Sequence, residues 1–376
     1  MDGAGEPLAA RHDTGREEDE ARFEPFETRL YRVIPLPFSL LTGLIFALVF
    51  GLYVLIAQST GNPSFIVLEG PDGWSMPNVS WVGFILSLIF TAGIAFTEGG
   101  RRMWAREREA LLRALEPSGA GQVEGLGRGI ARRWRGRYWI AFYLGVASAI
   151  VFNLIMTVSM GGNVLRYLDS VGLWFLIVGP PLYGIGFRAA VDVARESSEL
   201  KTLIRRHLEV DLFHLDRLAV FGRSGLKSAR SWMIMAAILL LFLIDPANPE
   251  ALFASSQLIV TIPTFLASVA GGLVLLLSTL SPVHRKIREA KAAELERIHA
   301  QMALLRPRAL GGDTEAAGAL AGLTDYEVWV DSRPEWPVSE GITTRLSLYV
   351  LLPILPILGS YVFEKIADQL VSGSPV

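Results

Sequence analysis

The chain has 376 residues, 51% of them hydrophobic and 19% charged, with a mean hydropathy of +0.39, a balance too apolar for one soluble domain of this length. A formal net charge of −2 argues against nucleic acid as a bulk electrostatic partner. The absence of cysteine removes disulfides, thiolate metal sites and a cysteine nucleophile.

Residues 1–28, with the acidic run "GREEDEARFEPFE", predict a solvated, disordered tail. About 35 polar residues precede the first apolar run, so a cleavable signal peptide is not expected. Crossing the hydrocarbon takes about 17 to 25 helical residues. Runs of that character, the fifth being the shortest, are Leu36–Ala57, Val79–Phe96, Tyr138–Val158, Gly172–Phe187, Ser231–Ile244, Leu258–Leu280 and 343–361. The fold expected is all-α: a polytopic membrane protein with seven transmembrane helices, the first six within 29–280 and the last at 342–362.

Cations near span ends are retained in the cytoplasm. Arg11, Arg16, Arg22, Arg29 and Arg32 precede the first span, and ten more lie between Arg101 and Arg137. The segments Arg188–Arg230 and Arg285–Arg333 add nine and eight, and Arg345 opens the last span. The alternate connectors hold only Arg166, and Lys365 follows the last span. The expected topology has the amino terminus inside and 363–376 as a short external tail. That orientation is the reverse of a G-protein-coupled receptor.

The basic connectors are long and read as helix. Arg101–Glu116 carries Met103, Leu111, Leu112 and Leu115. Asp192–Phe221 carries Val193, Leu200, Ile204, Leu208, Leu212, Leu215 and Leu218 at three- to four-residue spacing, an amphipathic stripe. After the sixth span, Ser281 and Pro282 read as a cap and first-turn residue, and the stripe that follows is expected to stop at Pro307. Residues 313–330 form a further short helix with Leu320, Leu323, Tyr326 and Val330 on one face. Together, residues 281–341 are expected to form a cytoplasmic helical anchor that packs below the membrane.

"SRPEWP" then breaks the helix, because Pro334 and Pro337 both disfavour helix in the residues before them. Trp336 suits the water–lipid boundary. Pro353 and Pro356 weaken the backbone of the last span and permit a kink. Pro334, Trp336, Pro337, Pro353 and Pro356 are therefore candidate hinge residues. At helical spacing, Ser347, Leu351, Leu355 and Leu358 share a face able to close a pore by dewetting.

Seven spans, an inside amino terminus, short external loops and a last helix set off by an elbow resemble the seven-transmembrane ion-channel superfamily, which includes insect odorant and gustatory receptors. The likeness covers the chain from about Arg29 onward and is one of topology. It implies a homo-oligomer, a tetramer in that family, joined by its cytoplasmic helices around a cation pore lined by the last helix. The gustatory branch's Thr-Tyr and Gln-Phe pairs have no direct counterpart, since Thr344 and Tyr349 are separated here.

Other chemistry is thinly represented. His207, Asp211 and His214 stand at i, i+4 and i+7, one face of a helix, as a metal site requires, but no fourth ligand is visible and no metal is expected. His284 and His299 read as solvated or interfacial. Ionisable residues lie at span ends, as Glu98 and Asp245 do, leaving Asn153 as the main polar side chain inside. Without buried relays or an inverted repeat, active transport is disfavoured. No nucleophile–base pair, phosphate loop or protease motif appears, so no enzyme and no cofactor are expected. The reading is an oligomeric cation channel of the cell membrane, in contact with lipid and not with nucleic acid. A non-conducting scaffold or sensor that binds a cytoplasmic partner is the alternative, followed by a solute or lipid carrier.

Overall fold

The computed structural model describes residues 24–62, 67–68, 74–75, 78–125, 132–159, 161–244, 255–338 and 340–355. Within them the protein is helical apart from a small antiparallel ribbon, β1 (Val67–Leu68) with β2 (Trp74–Ser75). Most of the expected tail, all of the external tail, Pro356 and Leu358 lie outside the described residues.

Helix α1 (Phe26–Val33) starts after Pro25 and ends before the Pro35 and Pro37 that flank the next start. Helix α2 (Phe38–Ser59) is about 33 Å long, a full bilayer crossing. Helix α3 (Asn78–Ala114) runs about 55 Å, so its basic second half continues beyond the apolar length as the same rod. A short α4 (Ala120–Gly125) leads to α5 (Arg132–Ser159), α6 (Val164–Leu168) and α7 (Gly172–His207). Helices α8 (Ala219–Leu240), α9 (Ser255–Leu310), α10 (Thr314–Asp331) and α11 (Glu340–Val350) follow.

Among the described residues, six segments are long and apolar enough to cross a membrane: 38–59, 79–114, 134–159, 172–207, 215–243 and 261–310. This is the signature of a multi-pass membrane protein. The described part of the seventh expected span is shorter, an apolar helix at Gly341–Ile354. Large apolar side chains such as Leu48 on α2, Leu154 on α5 and Leu266 on α9 face outward, as a lipid-facing surface requires.

Small residues set the helix contacts, as "VGPPLYGIG" and "SVAGGL" lead one to expect. A Cβ on Gly145 of α5 would stand 2.3 Å from the Tyr183 carbonyl oxygen of α7, and one on Gly184 would meet the Phe142 ring at 2.6 Å. Gly271 and Gly272 of α9 likewise lie against Trp232 and Met233 of α8. At the basic end the principal core joins Trp104, Leu111, Leu115, Leu203, Ile204, Phe221, Leu280, Val283 and Ile287.

Three local expectations are corrected. Ser281 and Pro282 cap nothing, because α9 runs unbroken for 56 residues with Pro263, Pro282 and Pro307 inside it. Buried Leu280, Val283 and Ile287 on either side of Pro282 supply the packing that carries the helix through. Nor does Pro307 stop α9. The stop is Gly311–Gly312, where Gly312 takes φ +91°, a left-handed conformation that glycine permits.

The third correction concerns Asp192–Phe221, which is not one helix. Helix α7 ends at His207, and Leu208 turns extended to pair with Leu115, the Glu116 amide donating to the His207 carbonyl at 2.9 Å. The stripe serves two cores. Leu200, Ile204 and Leu208 pack with α3 and α4, whereas Leu212 packs with Ile298 of α9 and Val330 of α10. A continuous helix would hold Leu208 and Leu212 on the same face.

Candidate functional site

The elbow after α10 is gripped by one face of α9. His284, Arg288 and Lys291 are spaced one helical turn apart. The His284 ring stacks on Trp336 with centroids 4.1 Å apart and planes 7° from parallel, and its Nδ1 lies 3.0 Å from the Glu335 carbonyl oxygen. Lys291 Nζ donates to the Asp331 carbonyl at 2.6 Å and lies 3.3 Å from its carboxylate. Arg288 and Lys291 both face Glu335, at 3.9 and 3.8 Å. On the far side the Arg333 guanidinium sits 3.8 Å over the Trp329 ring. Pro334, Trp336 and Pro337 therefore form a clamped corner, with His284 half-buried against Trp336.

The corner delivers α11 onto α8. A Cβ on Gly222 would stand 2.5 Å from Ile342 and 2.9 Å from the Pro337 carbonyl oxygen, so the close approach depends on that glycine. Ile342 and Pro353 are buried, and Leu346 packs into the basic-end core. The regular helix ends at Val350, and Leu352–Ile354 forms a single 3-10 turn. The Ile354 amide donates to the Leu351 carbonyl at 2.9 Å. Pro353 lacks the N–H that would continue the α-helical ladder, which accounts for the change.

Of the four residues assigned to one face, Ser347, Leu351 and Leu355 all lie on the exposed side, the two leucines 50% and 55% accessible. The Ser347 hydroxyl donates back to the Thr343 carbonyl at 3.1 Å. Among the described residues, this row leaves about half of each leucine uncovered.

His207, Asp211 and His214 do not form one face, because α7 has ended. His207 turns its Nδ1 to the Ser118 hydroxyl at 2.9 Å, while Asp211 and His214 pair with each other at 2.6 Å. That pair and the Phe213 amide hold the Asp211 carboxyl below its ordinary range. Among the described residues, no group of three or more His, Asp or Glu is arranged to hold a metal ion.

A layer of buried charge at the edge of the apolar slab escaped the sequence reading. Glu98 is fully buried and accepts from Arg101 at 2.8 and 2.7 Å and from Arg102 at 2.6 Å. Arg195 of α7 binds Asp192 at 2.8 Å and Glu199 at 3.2 Å. Arg223 of α8 makes a bidentate pair with Glu107 of α3, at 2.9 and 2.6 Å. Lys227 of α8 and Glu196 of α7 meet over Gly100 of α3, where a Cβ would stand 3.1 Å from Nζ and 3.4 Å from Oε1.

Nearby, Glu27 of α1 pairs with Arg188 of α7, both almost wholly hidden. The rings of Phe26, Tyr138 and Phe142 surround the guanidinium at 5.3, 4.9 and 5.5 Å. The signals in the sequence were the position of Glu98 and Arg188, each beginning the charged stretch after an apolar run, and the i,i+3 and i,i+4 spacing of the pairs within α3 and α7. Partners on different helices have no sequence spacing to betray them. The Glu107–Arg223 and Glu27–Arg188 pairs join helices, whereas the Glu98 and Arg195 pairs lie within one helix each, and among the described residues the layer holds no nucleophile with an adjacent base. The chain matches no family model, no curated protein and no solved structure.

Proposed function

We propose that the protein is an oligomeric, channel-like membrane protein with seven spans, its amino terminus inside and its carboxyl terminus outside. The last helix lines the pathway, and the helices at the basic end join the subunits. One observation carries this reading. The last helix seats one side on α8 and leaves Ser347, Leu351 and Leu355 exposed, which is what a helix facing a shared axis requires. The cation bias in the sequence supports the orientation, and the clamped elbow couples the pathway to the long α9 rod. The resemblance to the seven-transmembrane ion-channel superfamily accords with it in topology.

Conductance of the purified chain in planar bilayers, with particle symmetry examined by electron microscopy, tests the proposal. Discrete cation currents from a symmetric particle with the last helix at its axis are expected, and Leu355→Ser should raise leak conductance by weakening the dewetted constriction. A silent monomer, or a Leu355→Ser current equal to that of the parent at equal expression, refutes it.

A second reading, a scaffold that binds a partner, is favoured by one specific feature. Leu304, Leu310 and Val328 are exposed on α9 and α10, and Phe213 is exposed on the turn between α7 and α8. Partner capture by a chain that does not conduct would select that reading.

A further inference from the structure

Helix α1 departs from a water-facing helix at several positions. Its one acid within the helix, Glu27, points inward and is 1% accessible, and Thr28 and Tyr31 are buried beside it. Phe26 and Val33 point outward, 49% and 76% accessible, followed by exposed Leu36. At these positions a helix bathed in water carries the opposite pattern. The inward residues also fix its depth. Leu30, Tyr31 and Ile34 pack with Leu41 of α2, Ile94 of α3 and Ile185 of α7. Ile94 and Ile185 each lie within about one turn of the first charge on their helices, Glu98 and Arg188. Helix α1 therefore lies at the rim of the apolar slab.

Cations share that rim. Arg29 and Arg32 are exposed on α1, and Arg32 pairs with Glu24 at 2.5 Å, an exposed contact that salt readily screens. Phe26 meets Tyr138 and Phe142 around Arg188, which brings the head of α5 beside α1. There Arg135 and Arg137 are exposed, and the Arg137 guanidinium lies 5.0 Å over the Trp134 ring. We propose that α1 and the head of α5 form a docking surface for anionic phospholipids, with Arg29, Arg32, Arg135 and Arg137 at the phosphates and Phe26, Val33 and Leu36 in the acyl boundary. A lipid is the source, rather than a free anion, because the cations are interleaved with apolar side chains that only an acyl layer covers.

The test uses the full chain in nanodiscs of phosphatidylcholine with or without phosphatidylglycerol. Bound phosphatidylglycerol is counted by mass spectrometry after extraction. The parent should enrich it, and Arg29→Gln, Arg32→Gln and Arg137→Gln together should remove the enrichment, at about fivefold in relative affinity per arginine. Because the chain has no cysteine, Val33→Cys carries a single polarity-sensitive fluorophore, whose emission should report an apolar setting in the disc. Unchanged enrichment in the triple variant, or a water-like emission at position 33, overturns the proposal. So does displacement of the lipid by inorganic phosphate at matched ionic strength, which would assign the site to a soluble anion. None of these readouts depends on conduction, so this surface and the channel proposal stand or fall separately.

Discussion

Removing Arg188 should destabilise the protein more than removing its partner, and removing both should cost little. Arg188 and Glu27 are 2% and 1% accessible, so neither charge has water to fall back on. Deleting one member of such a buried pair typically costs about 3 to 5 kcal/mol, because the other charge remains hidden and unmatched. The three rings around the guanidinium break the symmetry. In Glu27→Gln, Phe26, Tyr138 and Phe142 still face the cation and offset part of the loss, at about 0.5 to 2 kcal/mol in cation–π energy. In Arg188→Gln the carboxylate faces the negative faces of those same rings, so the cost sits at the upper end of the range. The double replacement Glu27→Leu with Arg188→Met leaves no charge to desolvate and keeps the volume, and should fall within about 1 kcal/mol of the parent. Tryptophan-fluorescence melting in detergent reads this out, with roughly 2 °C expected for each kcal/mol in a chain of this size. Additive losses in the double variant, a coupling below about 1 kcal/mol, would refute the pair and with it the docking of α1 on α7.

Two further outcomes follow from the geometry. Gly145→Ala gains about 1 kcal/mol of helix propensity, but its methyl group would stand 2.3 Å from a backbone oxygen. Overpacking at about 1 to 3 kcal/mol wins, so the melting temperature should fall, and an increase would show that α5 and α7 are not in contact there. Asp313 caps α10 by accepting from the Ala316 amide at 3.0 Å, and Arg308 reinforces it at 2.7 Å. These bonds hold its carboxyl below the ordinary range. The stabilisation is therefore complete above the usual aspartate pKa and disappears as pH falls through the lowered value. Hydrogen exchange at the Ala316 amide should accelerate only below that point, and Asp313→Ala should abolish the pH dependence.

The sequence by itself determined the class of molecule. Runs of apolar residues long enough to span lipid are a property of consecutive residues, and so is the bias of cations between connectors; neither needs a fold to be read. The turn at "SRPEWP" and the short helix ending near Val330 were readable for the same reason, since proline acts on its immediate neighbours. The errors fell where consecutive residues mislead. Leucines from 200 to 212 fit one helical stripe but are divided between two cores, and Pro282 reads as a helix start although packing on both sides carries α9 through it. Tertiary structure alone decided which charges meet. Glu27 and Arg188 are 161 positions apart and Glu107 and Arg223 are 116 apart, and pairing at such separation follows from how the helices pack. The outward Phe26 and inward Glu27 of α1 belong to the same class, because they acquire meaning only once the neighbouring helices define which side is in.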